Sequence, residues 1–260
     1  MAPDPQHSRL ATLRQFGRQA RRYAASRIHS EGESLHLVAD LAAVRPSEAA
    51  LDVGTGAGFT AFALAGACAS TVATDIAPGM LAEARRLAVE RQLEGVAFAL
   101  AAAETLPFAD GAFDVVTCRL AAHHFGDVHA ALAEFARVLR PGGRLVLCDT
   151  LAPEDGAIAA YQHDLERRRD PTHVRDYSPS RWQQMLAEAR FELLRSEALP
   201  SPQEFEEWVG RAGTSSRLLP GLRRSLAQAP PAVRREFAIR IRDGTIYWRW
   251  MHGVFLALRT

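Results

Sequence analysis

The chain has 260 residues, 48% hydrophobic and 23% charged, with 31 basic and 30 acidic side chains and a formal charge of +1. A chain of this size and composition can bury a real core as one domain, with or without a lid. Its near-neutral balance gives no electrostatic ground for a nucleic-acid partner, and no apolar run approaches the roughly 20 residues of a membrane span. Every basic side chain is Arg, scattered among acids as on a solvated surface. Cys68, Cys118 and Cys148 show neither paired nor Cys-x-x-Cys spacing, so they read as core thiols rather than disulfide or zinc ligands. The polar stretch Met1 to Ser8 lacks the apolar region of a secretory signal, which leads us to expect a cytoplasmic protein.

In chain order, Leu10, Leu13, Phe16, Ala20 and Tyr23 recur at helical spacing between arginines and predict an amphipathic helix reaching about Ile28. Leu35, Leu37, Val38, Leu41 and Ala42 predict a second helix that ends at Pro46. The short apolar run Ala49 to Val53 reads as a buried strand. It breaks into the turn Gly54-Thr55-Gly56-Ala57-Gly58 and resumes as the helical pattern Ala57, Phe62, Ala65. Glycines there let a ligand come against the main chain, and the N–H groups at the helix start favour an anionic group. A nucleotide-like ligand is the natural expectation.

The alternation continues with strand 70–74, helix 79–91, strands 96–101 and 113–118, helix 128–139 and strand 144–148. The stripes Leu81, Ala84, Leu87, Ala88 and Leu132, Phe135, Ala136, Leu139 are core faces, and Pro141-Gly142-Gly143 stops the last helix. This order is that of a doubly wound, Rossmann-like α/β fold, with ligands at the carboxyl ends of the strands. We expect a mostly parallel seven-stranded sheet with N-terminal helices and a helical lid after the fifth strand. Residues 1–260 then form a single domain: N-terminal helices to residue 45, a cofactor-binding core over 46–150, a lid over 151–190 and C-terminal strands and helices over 191–260. Strands are expected over 191–199 and 247–258. The stretch 202–242 between them reads as mostly helical, broken at Leu219-Pro220-Gly221.

A glycine turn alone serves several chemistries. In the dinucleotide fingerprint Gly-x-Gly-x-x-Gly the third glycine stands one place later than Gly58, where this chain has Phe59, which argues against a dehydrogenase. Asp75 ends the second strand about 20 residues after the turn, where a carboxylate can accept hydrogen bonds from ribose hydroxyls. Its alternative use is as a cap for the helix starting near Pro78.

Five stretches then occur together in order: Leu51–Gly58, Asp75-Ile76, Ala103-Glu104-Thr105-Leu106-Pro107-Phe108, Phe113-Asp114 and Leu139-Arg140-Pro141-Gly142-Gly143. With them the chain resembles the class I S-adenosylmethionine-dependent methyltransferases. More closely, it looks like the bacterial branch related to the ubiquinone/menaquinone-biosynthesis C-methyltransferases. A subgroup of that branch resembles it further in Cys118-Arg119, His123-His124-Phe125 and Asp170-Pro171-Thr172-His173-Val174-Arg175. The resemblance covers most of the chain. It implies S-adenosylmethionine as cofactor, S-adenosylhomocysteine as product and a small organic metabolite as methyl acceptor, with C- or O-acceptors favoured.

The same resemblance implies the cofactor residues. Asp52, Gly54, Thr55, Gly56 and Gly58 belong to the turn against the methionine portion, Asp75 holds the ribose hydroxyls, and Ile76 and Met80 flank adenine or ribose. Ala103 and Glu104 border adenine, Arg119 adjoins the reaction zone, and Ser26 and His29 match positions that close over the methionine end. Relatives commonly carry Asp where Ala102 stands, so Glu104 or backbone groups substitute for that carboxylate or affinity is reduced.

Methyl transfer requires alignment of the nucleophile, exclusion of water and, for a protonated nucleophile, a base. Residues just beyond the fourth strand face this zone, which directs attention to Arg119, His123 and His124. A histidine can take a proton near neutral pH and an arginine can anchor an anion. The alternative is that the two histidines support the helix starting near Val128. His173 and Arg175 in the lid, and Tyr161 and His163 before it, are further candidates. Arg167-Arg168-Arg169 is explained by the end of a helix dipole. His124, Asp127 and His129 lack a familiar ligand spacing, and no metal site is expected.

The competing readings are a nicotinamide-dependent oxidoreductase, a nucleic-acid methyltransferase and a methyltransferase fold repurposed to bind an adenosyl ligand or run another reaction. Cys118-Arg119-Leu120-Ala121 stands where base-modifying enzymes carry an Asn/Asp-Pro-Pro-aromatic motif. Tyr247-Trp248-Arg249-Trp250 fits a buried alternating strand better than a base-stacking platform. A monomer or homodimer acting on a small molecule is expected.

Overall fold

The computed structural model describes residues 15–16 and 19–260. The start of the expected first helix, with Leu10 and Leu13, lies outside the described residues. Helix α1 is described at residues 15–16 and 19–24, and is followed by α2 (Arg27–Ser30) and α3 (Glu33–Ala42). Strands and helices then alternate: β1 (Ala49–Val53), α4 (Phe59–Leu64), β2 (Ser70–Asp75), α5 (Pro78–Glu90), β3 (Val96–Leu100), β4 (Phe113–Arg119), α6 (Val128–Val138) and β5 (Leu139–Leu151). The second half holds α7 (Gly156–Arg169), α8 (Pro179–Glu188), β6 (Phe191–Glu204), α9 (Phe205–Ala212), α10 (Leu219–Ala227), α11 (Pro231–Glu236), β7 (Arg240–Arg242) and β8 (Thr245–Arg259).

The strands form one sheet in the order β3-β2-β1-β4-β5-β8-β6, and the short β7 pairs with β8 off that path. Pairings from β3 to β5 are parallel, whereas β8 runs antiparallel to both β5 and β6. The order reverses between β1 and β4, so the loops after these two strands open a crevice at the carboxyl edge of the sheet. Three differences from the sequence reading have local causes. Arg240–Arg242 adds an eighth strand by folding back on Thr245 through Asp243-Gly244, both at positive φ. Leu219-Pro220 opens α10 instead of breaking a helix, because a first-turn proline gives up an N–H that has no helical partner. The first helix gives way after residue 24, and Arg27–Ser30 forms a separate turn.

Parallel strands covered on both faces need apolar side chains on both, and β1, β4 and the middle of β5 are buried almost throughout. One core packs α6 and α8 against the sheet around Phe135, Trp182 and Phe255, all wholly buried. A second, aromatic core lies under α9 to α11, where Phe205, Trp208, Phe237, Trp248 and Trp250 meet. Trp248 and Trp250 point into it from β8 while Tyr247 is exposed, the alternation expected of that strand. Trp182→Ala empties the centre of the first core and should lower unfolding free energy by about 3–5 kcal/mol in urea denaturation.

Candidate functional site

The glycine turn is held from two sides by buried carboxylates. Asp52, at the end of β1, accepts from Thr55 Oγ1 at 2.6 Å and Thr117 Oγ1 at 2.7 Å. Asp75, at the end of β2, accepts from the N–H of Gly56 at 2.9 Å and of Ala77 at 2.8 Å. Burial raises both to about 6, although these hydrogen bonds oppose the shift. Within the turn, the Thr55 N–H donates to Thr74 O and the Gly58 N–H to Thr55 O. Three N–H groups of the turn are therefore spent inside the protein. The Gly56 N–H among them goes to the Asp75 side chain. What the turn offers is close main-chain approach, since a Cβ on Gly56 would stand in open space inside the cavity.

A second glycine joins this half to the loop after β4. At Gly54, φ is +69°, and a Cβ would come within 2.5 Å of the Ala121 side chain. Leu120, itself at φ +54°, turns the chain out of β4 so that Ala121 can pack there. Beyond it the short 3-10 turn Ala122–His124 carries the two histidines. Asp127, not a histidine, caps α6 by accepting from the Ala130 N–H.

The lid closes on this turn. His123 O accepts from the N–H groups of Val174 at 2.8 Å and Arg175 at 3.1 Å. The His123 ring meets Asp149 Oδ1 through Nδ1 at 2.5 Å, and its main-chain N–H donates to Asp149 Oδ2 at 2.8 Å. Burial alone would lower its pKa, but the charge of Asp149 and this hydrogen bond outweigh it and raise His123 to about 9. His123 is therefore an imidazolium at neutral pH, with no ring nitrogen free to accept a proton.

His124 takes the opposite state. Its Nδ1 lies 3.1 Å from Thr172 O and 3.2 Å from Thr172 Oγ1, and that hydroxyl donates to Asp170 Oδ1 at 2.6 Å. A carbonyl can only accept, so Nδ1 carries the proton and Nε2 keeps its lone pair. Burial, together with the charge of His123 at a ring distance of 4.1 Å, lowers His124 to about 4. Its ring also meets Phe16 edge-on at 4.8 Å. His173 is buried, its Nε2 lies 3.3 Å from Nδ1 of His163, and burial holds it neutral.

Arg119 is buried and donates to Thr60 Oγ1 at 3.1 Å, Ser34 Oγ at 3.4 Å and His29 O at 2.6 Å. It thereby fastens α2 and α3 over the end of β4. His29 bonds Ser26 through Nδ1 and packs on Tyr23. Ile76, Met80, Ala102, Ala103 and Glu104 line the other end. Glu104 Oε1 accepts from the Gly126 N–H at 3.0 Å, and Ala102 O from the Thr105 N–H.

One cavity runs from Asp75 and Met80 through Gly56 and Arg119 to His123, His124 and His173, whereas Asp52, Gly58, Ser26 and His163 stand outside its lining. Other candidates fall outside it. Tyr161 donates to Ser225 O, Arg175 is exposed beside Tyr177, and His129 faces Glu188 and Arg181 at the surface. Among the described residues no group of three His, Cys, Asp or Glu side chains is placed to hold a metal, and no helix is long and apolar enough to cross a membrane. Sequence reasoning missed Tyr23, Glu166, Gln203, Trp208, Arg211 and Trp250, which also line the cavity. They come from the N-terminal helix, the lid and the C-terminal elements, where no motif marks them. Arg169, explained from sequence by a helix end, joins them by pairing with Glu166 at 2.7 Å.

Residues 51–147 match a family model described as a methyltransferase domain. The chain is 36% identical over 226 residues to the uncharacterized methyltransferase YcgJ of Bacillus subtilis, covering 87% of this chain and 89% of that protein. The crystal structure of YcgJ superposes with a TM-score of 0.84 over 87% of this chain and 97% of that one, at 34% identity. A putative methyltransferase from Bacillus halodurans gives the same TM-score at 33% identity, covering 88% of this chain and all of that one. The demethylmenaquinone methyltransferase of Thermus thermophilus is 46% identical over 121 residues, 46% of this chain and 54% of that protein.

The charged His123–Asp149 pair ties stability to pH. Because the folded His123 value, about 9, lies above the ordinary 6.5, its contribution is complete below about 6.5 and is lost as pH rises through about 9. Melting temperatures measured from pH 6.5 to 9.5 should fall in the parent protein and fall less steeply in His123→Gln.

Proposed function

The chain belongs to the class I S-adenosylmethionine-dependent methyltransferases, and from that premise we propose that it methylates a small organic metabolite at carbon or oxygen, with His124 as the proton acceptor. The observation that carries this reading is one cavity lined at one end by Asp75 and the glycine turn and at the other by a neutral histidine whose Nε2 is unprotonated. Bound S-adenosylmethionine supplies an electrophilic methyl group on sulfonium and leaves as S-adenosylhomocysteine.

The residues present fit that cofactor. Asp75 is a buried carboxylate in the cavity wall whose oxygens keep lone pairs for vicinal hydroxyls beyond the two backbone donors. Gly56 admits a ligand against the main chain. Ile76, Met80, Ala102 and Ala103 form an apolar slot for a flat ring. With Ala102 lacking a carboxylate and Glu104 Oε1 holding Gly126, we assign most adenine affinity to this apolar contact. Arg119 is a buried cation whose hydrogen bonds go to neutral oxygens, and it is assigned the carboxylate of the methionine portion.

At the acceptor end, His173 packs beside His123, and His123 and Thr172 position His124. The Thr172 carbonyl fixes its proton on Nδ1, and the cationic His123 keeps it from charging before substrate binds. A neutral His124 can take the acceptor's proton, because a hydroxyl or enol gaining a methyl group becomes far more acidic than its parent. Phe16, Tyr23 and His29 cover the cavity and exclude water. We read the chain as one domain, acting alone or as a homodimer on a small molecule.

The test follows labelled methyl from S-adenosylmethionine across a panel of phenols, quinols and enolisable acids. For any acceptor found, His124→Ala should lower kcat by roughly a hundredfold or more. The S-adenosylhomocysteine Kd should stay within about twofold. Equal kcat in variant and parent assigns His124 to packing.

A further inference from the structure

Past the histidines the cavity runs on beneath α9 and β8, and its wall there is built with unusual polar economy. Glu166 Oε1 accepts from the indole N–H of Trp208 at 3.1 Å and of Trp250 at 2.7 Å, and Oε2 accepts from Arg169 Nη1 at 2.7 Å. Three donors satisfy this one carboxylate and balance the charge of Arg169. With both N–H groups engaged, the two indoles offer the cavity carbon surface.

Arg211 is different. It is 8% exposed and lines the cavity from α9. Its Nη2 donates to Gln203 Oε1 at 2.5 Å, and the Gln203 amide nitrogen donates to Ser201 O and Oγ, which fixes the amide with its oxygen toward Arg211. Among the described residues its carboxylate partner is Glu207 at 3.3 Å, a half-exposed side chain on the solvent side. The wall at this end thus holds a buried guanidinium, aimed by a neutral amide, whose ion-pair partner is a half-exposed side chain while the Glu166 carboxylate is engaged by Arg169 and the two indoles. Burial and the nearby charge of Arg169 lower Arg211 to about 10, so its cation is poorly compensated in the free protein. His252 beside it is held neutral, lowered to about 4 by burial.

We propose that the methyl acceptor carries a carboxylate that docks on Arg211, joined to a flat apolar body seated against Trp208 and Trp250. This rests on the reading of the cavity as a methyltransferase's acceptor site. A guanidinium takes a carboxylate with two parallel hydrogen bonds, and one negative charge balances that of Arg211. A phosphate dianion would leave charge over in an aromatic wall.

The experiment saturates the protein with S-adenosylhomocysteine and titrates it calorimetrically with three matched pairs: 4-hydroxybenzoate and its amide, 4-hydroxyphenylacetate and its amide, and indole-3-carboxylate and its amide. At least one acid should bind about tenfold or more tighter than its amide, the worth of one charge-assisted hydrogen bond. In Arg211→Met that ratio should fall to about one while S-adenosylhomocysteine binds as before. Arg211→Gln is the second variant, since it drops the charge while keeping a polar partner for Gln203, and it should give the same loss. A wild-type panel in which no acid outbinds its amide overturns the proposal, as does a ratio that persists in both variants. Failure of the wild type to bind S-adenosylhomocysteine strikes the cofactor assignment instead, and is read in the first titration before any acid is added.

Discussion

The structure depends first on two carboxylates buried beside one glycine turn. Removing Asp52 and Asp75 from water is costly, as their raised pKa values record, and hydroxyl and backbone donors offset that cost. The bonds they accept join β1 to β4 through Thr117 and the turn to the start of α5 through Ala77. These contacts hold the ends of β1, β2 and β4 at the point where strand order reverses. The turn spends three of its N–H donors inside the protein and presents acceptors and bare backbone to the cavity. That surface suits a ligand rich in hydroxyl groups and poor in phosphate, as a nucleoside sulfonium is.

The other half of the cavity depends on a different device, two adjacent histidines driven to opposite states. Asp149 makes a cation of His123, and that cation helps keep His124 neutral. The main chain enforces the arrangement, because the lid segment around Val174 hydrogen-bonds to the carbonyl of His123 and brings Thr172 to His124. Neighbouring residues on a chain ordinarily point apart, and here the short 3-10 turn lets both rings reach the cavity with distinct partners.

Much of this was legible in the sequence. Short apolar strands alternating with helical stripes identify the parallel half, since period-2 and period-3.6 burial leave different patterns. The glycine turn and Asp75 are close in sequence to the elements that position them, so spacing alone locates one end of the cavity. The other end was less legible for a physical reason. Trp208, Arg211 and Gln203 lie some 150 residues from Asp52, and they meet the site only because β8 inserts antiparallel between β5 and β6 and brings the C-terminal helices over the sheet edge. Arg169 illustrates the limit: at a helix end its charge is explained locally, and its pairing with Glu166 beneath two indoles is visible only in three dimensions.

We propose that Asp75, as a buried carboxylate, receives the ribose hydroxyls of S-adenosylmethionine. Calorimetric titration with S-adenosylhomocysteine from pH 5 to 8 tests it most directly. A group raised to about 6 accepts hydroxyls fully only when ionised, so affinity should rise through about pH 6 and level off above it. In Asp75→Asn it should be weaker by about tenfold or more at pH 7.5. Affinity independent of pH over this range, together with an unchanged Kd in Asp75→Asn, would contradict the account.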